Sequence, residues 1–494
     1  MSLVLTAALA VIGIVVYRVH AFLSWCRKID AALASVPAVG KPHWLWGNLP
    51  QIRRAGGLQQ LRTTTFNALG VDSIKAYLGP MPILITRDPE MFKYVHANQT
   101  GSATPFVRIK TPLLNTVAGD NSVVTLDGAP WAFHRKNLQQ LFRHQNLTDI
   151  YGNIVEHADR LTKLWSDACM QNPVTQTAEI LVDEDMKELS IGIIANVNFS
   201  ADIGALTGMK PFPMADRFQN IADCLERLMP LPPFIQMFPL LPARIRLDRC
   251  MKEADAEMLR AIESRRKKDT QSGKHEDVLD LLLNPDLNPP YSSTAIRDNC
   301  FTLYWAGQET SAMFLTWACY FLALYPDIQK RVYADLQQLP DRFSSEDLNR
   351  CKYLANFLNE VLRLRAISPT TVKSSSTDAC RFNELQMPKG MWIIFSIYDM
   401  HRHPKHWTDP LTFNPDRWES LSPNYDAYAP FTKGEKMCLG MRLAQLEGKA
   451  IIANVVRNFE LDLCPGHDYA EKRLYLVRVQ HGMKLRVRRR EDPQ

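Results

Sequence analysis

Residues 431–440 read Phe431-Thr432-Lys433-Gly434-Glu435-Lys436-Met437-Cys438-Leu439-Gly440. One cysteine sits in a short polar loop between two glycines. An apolar helical pattern follows at once, in Met441, Leu443, Ala444, Leu446, Ala450, Ile451 and Val455. Backbone N–H groups in such a loop, and the positive end of the helix behind it, favour a thiolate. The spacing therefore predicts a low-pKa thiol able to ligate a metal. The plain alternative is a buried, inert cysteine, the common fate of an unpaired thiol.

The surrounding 494 residues are 46% hydrophobic and 22% charged. No internal repeat, low-complexity block or long Gly/Ser linker divides them, so one large, mostly helical body after a short leader is expected. The ten cysteines are scattered from Cys26 to Cys464 without a C-x-x-C pair. That pattern fits neither a zinc site nor a disulfide framework, and it points to a reducing compartment. His401, His403 and His406, near Trp407, lack helical metal-site spacing and read as a polar loop. The net charge of +6 is mild. Part of it sits in Lys484–Arg490, where Leu485 and Val487 alternate with basic residues and predict an exposed strand. Nucleic-acid binding calls for a denser basic patch with interleaved aromatics, so no nucleic-acid partner is expected.

Leu3 to Tyr17 is an uncharged apolar run that continues past Arg18 and His20 through Ala21-Phe22-Leu23 to Trp25. A spanning helix takes about 20 apolar residues. Arg18 can snorkel and Trp25 can sit at the interface. A cleavable signal peptide competes with this reading, but its positive n-region is missing. The expected organisation is an anchor over 1–25, a proline-containing linker over 26–50 and a catalytic domain over 51–494. Pro37, Pro42 and Pro50 make the linker stiff and extended. Arg27 and Lys28 follow the apolar run and place the body in the cytoplasm.

Along the body, Ile74–Leu78 and Pro82–Thr86 predict a hairpin across Gly79-Pro80, and Asp88-Pro89-Glu90 predicts a helix start. Periodicity is mainly helical from about 128 to 365, and short strands such as Met391–Phe395 follow after 370. This is a mainly α, segregated α+β pattern. Pro211, Pro213, Met229, Pro230, Pro232, Pro233, Phe234, Met237, Phe238, Pro239 and Pro242 mark either a mobile lid that touches lipid or an apolar loop packed on the body.

Three more groups of residues bear on chemistry. Ala306-Gly307-Gln308-Glu309-Thr310-Ser311 lies inside an apolar helix expected over roughly 298–324. A mid-helix Gly costs about 1 kcal/mol relative to Ala, and a buried Glu needs a partner. The Thr310 hydroxyl can bond back to the Ala306 carbonyl. Together they predict a polar notch in an apolar wall; the alternative is a solvent-facing stripe. Glu360 and Arg363 share a helix face, with Phe413-Asn414-Pro415-Asp416-Arg417-Trp418 downstream. Trp131 and Arg135, four apart, also share a face, and the arginine suits a carboxylate partner.

In this order the motifs resemble those of the cytochrome P-450 family over nearly the whole chain. Phe431, Gly434, Cys438 and Gly440 match its haem-binding signature Phe-x-x-Gly-x-Arg-x-Cys-x-Gly, with Lys436 where Arg is usual. Ala306–Ser311 is similar to its oxygen-activation motif, and the linker to the hinge of its microsomal, membrane-anchored members. The resemblance implies haem b with Cys438 as axial thiolate, a dioxygen groove beside Ala306 and Gly307, and proton delivery through Glu309 and Thr310. It also implies propionate contacts from Trp131 and Arg135, with Lys373 and Lys436 nearby. Glu360, Arg363 and Arg417 are implied as a structural lock on the segment before the cysteine loop. Lys in place of Arg keeps the charge but loses the bidentate fork.

The implied activity is insertion of one oxygen atom of O2 into a lipophilic substrate, such as a sterol or fatty acid, at the endoplasmic reticulum membrane. No flavin or nicotinamide domain is visible, so a separate NADPH-dependent reductase is the expected electron donor. Two rivals remain in the family: a peroxide isomerase or dehydratase, which often lacks the threonine, and a non-catalytic membrane haem-binding protein, which has no use for a proton relay. A structural Cys438 without haem is the third alternative.

Overall fold

The computed structural model describes residues 2–98, 105–142, 144–172, 174–201, 205–207, 213–229, 231, 233–267, 277–422, 425–473 and 475–490. The chain begins with α1 (Ser2–Ala32), α2 (Leu49–Arg54), α3 (Leu58–Leu69), β1 (Ser73–Leu78), β2 (Met81–Thr86), α4 (Pro89–Ala97) and β3 (Phe106–Arg108). It continues through α5 (Pro112–Ala118), α6 (Gly128–Leu138), α7 (His144–Met170), β4 (Thr177–Leu181), α8 (Val182–Phe199), α9 (Pro213–Leu228), α10 (Pro233–Gln236) and α11 (Pro242–Arg266). Next come α12 (Val278–Leu283), α13 (Ser293–Leu324), α14 (Pro326–Leu336), α15 (Lys352–Leu364), β5 (Thr370–Ser375), β6 (Cys380–Phe382), β7 (Leu385–Met387), β8 (Trp392–Ser396) and α16 (Ile397–Met400). The last elements are α17 (Met441–Asn458), β9 (Phe459–Leu463), β10 (Glu471–Arg473), β11 (Val477–Val479) and β12 (Lys484–Arg489).

The body is organised around α13. It starts at Ser293, earlier than its apolar pattern suggests, because the Ser292 side chain caps it by accepting from Ala295 N. Its side chains are buried on nearly every face, as a helix in the middle of a large core must be. Helices α8 and α17 pack against it. Its Gly307 lets α8 approach, since a Cβ there would lie 2.6 Å from Ile194 Cδ1.

The main sheet has the order β1-β2-β8-β5-β3. The expected hairpin is present, with Ser73 opposite Thr86 and Leu78 opposite Met81. Asp88 caps α4 through Glu90 N, also as expected. At the far edge β3 pairs antiparallel with β5 and sets Arg108 opposite Lys373. A second sheet has the order β4-β12-β9. The tail expected as an exposed strand is its middle strand, with Leu485 and Val487 fully buried. Hydrogen bonding on both edges and burial of the apolar alternation outweigh the basic composition.

Two expectations at the N-terminal end change. The leader and the first part of the expected linker form one helix, α1, running past Trp25 to Ala32. The prolines that follow are held against β1: Val39 N donates to Lys75 O and Lys75 N to Pro37 O. Pro50 opens α2 rather than extending a linker. In the suspected lid, Met229, Met237, Phe238 and Leu240 are exposed rather than packed, between helices α9, α10 and α11. Pro211, Pro230 and Pro232 of that stretch lie outside the described residues.

Candidate functional site

The cysteine loop is folded by its own backbone. Cys438 N donates to Phe431 O at 3.0 Å, and Met437 N to Gly434 O at 3.0 Å. Gly434 has φ +75°, and a Cβ there would lie 2.1 Å from the His96 carbonyl oxygen, so only glycine lets α4 approach. Gly440, just before α17, has open space around it. Cys438 is the one exposed cysteine, the other nine being buried. Yet dense protein surrounds it, and desolvation pushes its thiol pKa up, against the Gly440 backbone and Arg135, which pull it down. Both observations hold together for a thiol that faces an interior cavity. The low thiol pKa expected from the loop is therefore corrected for the free side chain: burial outweighs the N–H groups.

Beside this loop the structure gathers cations. Trp131 and Arg135 lie on α6, Lys436 on the cysteine loop, Lys373 on β5 and Arg108 on β3. Lys436 Nζ lies 5.4 Å from the centre of the Trp131 ring and pairs with Asp127. Arg108 donates to Val123 O. Lys373 is held down to a pKa of about 7, first by burial, then by Arg108 and Lys436. Arg108 is held at about 10 by burial, with Asp127 opposing and Arg135 adding to the shift. Like charges placed directly opposite across two strands are destabilising. Here one carboxylate, Asp127, faces three cations, Arg108, Lys373 and Lys436. The buried Trp131 Nε1 has no acceptor. A surplus of positive charge and an orphan donor fit the two propionates of a haem, and the reachable thiol of Cys438 fits its axial ligation.

On α13, Ala306 is exposed and Thr310 half-buried, while Leu303 and Ser311 are buried. Thr310 Oγ1 donates to Ala306 O at 2.6 Å, as expected. The open side of the helix therefore belongs to Ala306 and Thr310. Gly307 turns the other way, its missing side chain replaced by Ile194 of α8, so the groove expected beside it is filled. Glu309 is buried but partnered. Tyr475 OH donates to it at 2.5 Å, and Arg478 forms an ion pair with it. Arg478 also reaches Glu226 of α9 at 3.0 Å, and Lys472 meets the same acid at 2.8 Å. Ser311 donates to Glu447 of α17, whose carboxyl is pushed up to about 7 by burial.

Glu360, Arg363 and Arg417 come together as expected, with Glu360 and Arg363 fully enclosed. Arg363 forks onto Glu360 with two bonds of 2.8 Å. Arg417 Nε donates to the same carboxylate at 2.9 Å, Asn414 N at 2.9 Å and Trp418 Nε1 at 3.0 Å. The spare Arg363 hydrogens reach His401 O, Pro410 O and Thr412 O. His401, read as part of a polar loop, is fully buried. Burial, then Arg363 and Arg402, hold its pKa down to about 3. The neutral ring donates from Nδ1 to Arg363 O and accepts Ala429 N at Nε2, linking the lock to the start of the cysteine loop. Among the described residues no cluster of His, Cys, Asp and Glu is arranged to hold a metal.

Residues 37–485 match the family model for Cytochrome P450. The chain is 26% identical over 440 residues to cytochrome P450 734A2 of Oryza sativa subsp. japonica, covering 83% of this chain and 77% of that protein. It is 27% identical over 407 residues to cytochrome P450 3A41 of Mus musculus, covering 78% of each. Secologanin synthase 1 of Catharanthus roseus is 26% identical over 454 residues, 87% of this chain and 83% of that one. The crystal structure of a cytochrome P450, CYP102L1, superposes with a TM-score of 0.78 at 22% identity, over 92% of this chain and 99% of the other.

Proposed function

The chain belongs to the cytochrome P450 family, and from that premise we propose how its residues serve a haem-thiolate monooxygenase. Cys438 would ligate the haem iron through its thiolate. Trp131 Nε1, Arg135, Arg108, Lys373 and Lys436 would hold the propionates, with Asp127 keeping Lys436 in place. Bound there, the haem supplies dioxygen activation and oxygen-atom transfer, with the thiolate's electron donation favouring O–O cleavage.

The protein's part is positioning and proton supply. Thr310 donates to Ala306 O, so its lone pairs stay available to a water on the open face of α13. That water carries protons into the cavity. Glu309 feeds it once Arg478 and Tyr475 release the carboxylate. Ala306, exposed on a mostly buried helix, leaves room for the substrate. The substrate is lipophilic and comes from the membrane past the exposed apolar residues between α9 and α11. Electrons come from a separate NADPH-dependent reductase. A surface recess of about 550 Å³ against the cysteine loop, lined by Lys93, Phe431, Lys433 and Met437 among others, gives that donor a face with both charge and apolar contact. The site belongs at the cytoplasmic side of the endoplasmic reticulum.

One observation carries this reading: a surplus of cations, Lys373 and Lys436 buried among them, and an orphan indole N–H beside the one reachable thiol. It is tested by the carbon-monoxide difference spectrum of the reduced protein. The wild type gives the strongly red-shifted Soret band of thiolate ligation, and Cys438→Ala loses it. A red-shifted band in Cys438→Ala would refute the assignment.

A further inference from the structure

Residues 119–127 connect α5 to α6 without helix or strand, so the buried polar groups of their backbone need side-chain partners. Three buried residues of α13 meet that need: Asp298, Asn299 and Thr302. Thr302 Oγ1 donates to Ala118 O at 3.2 Å, where the segment leaves α5. Asp298 accepts Asn121 N at 2.9 Å, and it packs so closely that a Cβ on Gly119 would collide with its carboxylate. Asn299 Oδ1 accepts Val123 N at 2.9 Å.

Asn299 reaches further than the other two. Its amide is fully buried, a costly place for a polar group without bonds. Its Nδ2 meets Ala295 O at 2.7 Å, His134 Nδ1 at 3.0 Å and Asn121 O at 3.2 Å. Burial holds the His134 pKa down, with Asn299 and Asp298 opposing, and the neutral ring accepts at Nδ1. His134 stands on α6 between Trp131 and Arg135. Val123, whose N–H ends on Asn299, takes a hydrogen bond from Arg108 on its carbonyl. Two bonds therefore lead from the Asn299 carboxamide to Arg108, and one leads to α6. Asp298 and Thr302 hold the same segment upstream of Val123. Arg108 needs such a tether, because its strand is the three-residue edge of the sheet and Lys373 stands opposite it.

We propose that Asn299 is a positioning residue for the haem: through Val123 it sets Arg108, and through His134 it sets the helix that carries Trp131 and Arg135, so the groups assigned to the propionates keep their place relative to α13. The proposal rests on the reading of those groups as propionate holders. Asn299 touches none of them, so its loss loosens the cluster without removing a charge.

The test measures haem loss from the whole loaded chain to an acceptor apoprotein, urea unfolding of the haem-free chain, and the propionate bending bands in the resonance Raman spectrum. Asn299→Leu and Arg108→Met should each speed haem loss about tenfold and shift those bands. The double variant should fall well short of the product of the two, as residues acting through one chain of bonds do. Thr302→Val, which frees only Ala118 O, should lower haem-free stability while haem loss and the bands stay as in the wild type. If the leucine variant does not fold, Asn299→Asp replaces it: this side chain still accepts Val123 N but loses the donor to His134, and should speed haem loss about threefold. Wild-type haem loss in the Asn299 variants, with Arg108→Met fast, overturns the proposal and leaves the propionate reading intact. Wild-type haem loss in Arg108→Met overturns the role of Arg108 in that reading and the proposal with it. Effects that multiply fully in the double variant, or equal acceleration in Thr302→Val, mark general loosening and also overturn the proposal.

Discussion

Two buried charge clusters flank the cysteine loop, and they are built on opposite principles. Around Glu360 every strong donor finds an acceptor: two arginines, an indole and a backbone N–H converge on one carboxylate, and the surplus arginine hydrogens end on carbonyls. Around Trp131 the charges do not balance. Three cations share Asp127, two of them opposed across β3 and β5, Arg135 adds a fourth positive charge beside them, and an indole N–H is left without an acceptor. A closed network holds a segment in place. An open one, of matching residue types, waits for an anion. Hydrogen-bond completeness, more than burial or charge alone, separates the structural cluster from the binding cluster.

The contrast can be broken by experiment. Glu360→Ala should cost about 3–5 kcal/mol, because it strands two buried guanidinium groups; urea unfolding of the haem-free and loaded chain should show the loss in both. A smaller loss would mean that the lock is not closed.

Glu447 tests an enclosed acid with a single donor, Ser311. Its folded pKa of about 7 lies above the unfolded value. The folded chain therefore holds the proton more tightly, and this contribution is full below about pH 4.5 and lost as pH rises through 7. It amounts to on the order of 3 kcal/mol. Glu447→Gln should flatten that part of the stability profile between pH 4.5 and 7, and an unchanged slope would remove Glu447 as its source.

In the open cluster the sign should invert. Lys373→Met relieves repulsion, so it should stabilise the haem-free chain by about 1 kcal/mol at pH 7 and yet speed haem loss to an acceptor apoprotein about tenfold. The haem-free wild type should gain stability as pH rises from about 7 towards 10.5, because there the unfolded chain still binds the Lys373 proton and the folded chain does not. The variant should lack this slope. Loss of stability in haem-free Lys373→Met would place the lysine in a closed network after all. The smallest effect is expected from Lys436→Arg, which restores a fork and should slow haem loss by a factor of about two to five. Faster loss would show that the pocket is shaped to the lysine.

The closed cluster was largely legible in the sequence, and the open one only in part. Glu360 and Arg363 share one helix face, and Cys438 sits in its own loop, so local spacing carried their signal. Arg108 joins Lys373 only through the register of β3 against β5, and no local pattern announces that. His401 looked like a member of a polar loop, although Tyr398, Met400 and Trp407 around it signalled burial. Glu309 and Thr310 were found, but their neighbours Tyr475 and Arg478 come from a hairpin far along the chain. Gly307 was noticed for its cost in a helix; the reason for it, Ile194, sits on another helix. The leader showed its apolar length but not its docking, which depends on β1.

The edge position of β3 has a consequence for the way the protein is completed. It is a strand of three residues, last in its sheet, and it confronts its neighbour with repelling charges. Such an edge is the cheapest part of the sheet to peel away. An anionic guest lying between Arg108 and Lys373 would turn repulsion into a clamp. If the prosthetic group is held there as proposed, it would work as a fastener as well as a reagent, and shedding it and fraying this margin would become one event.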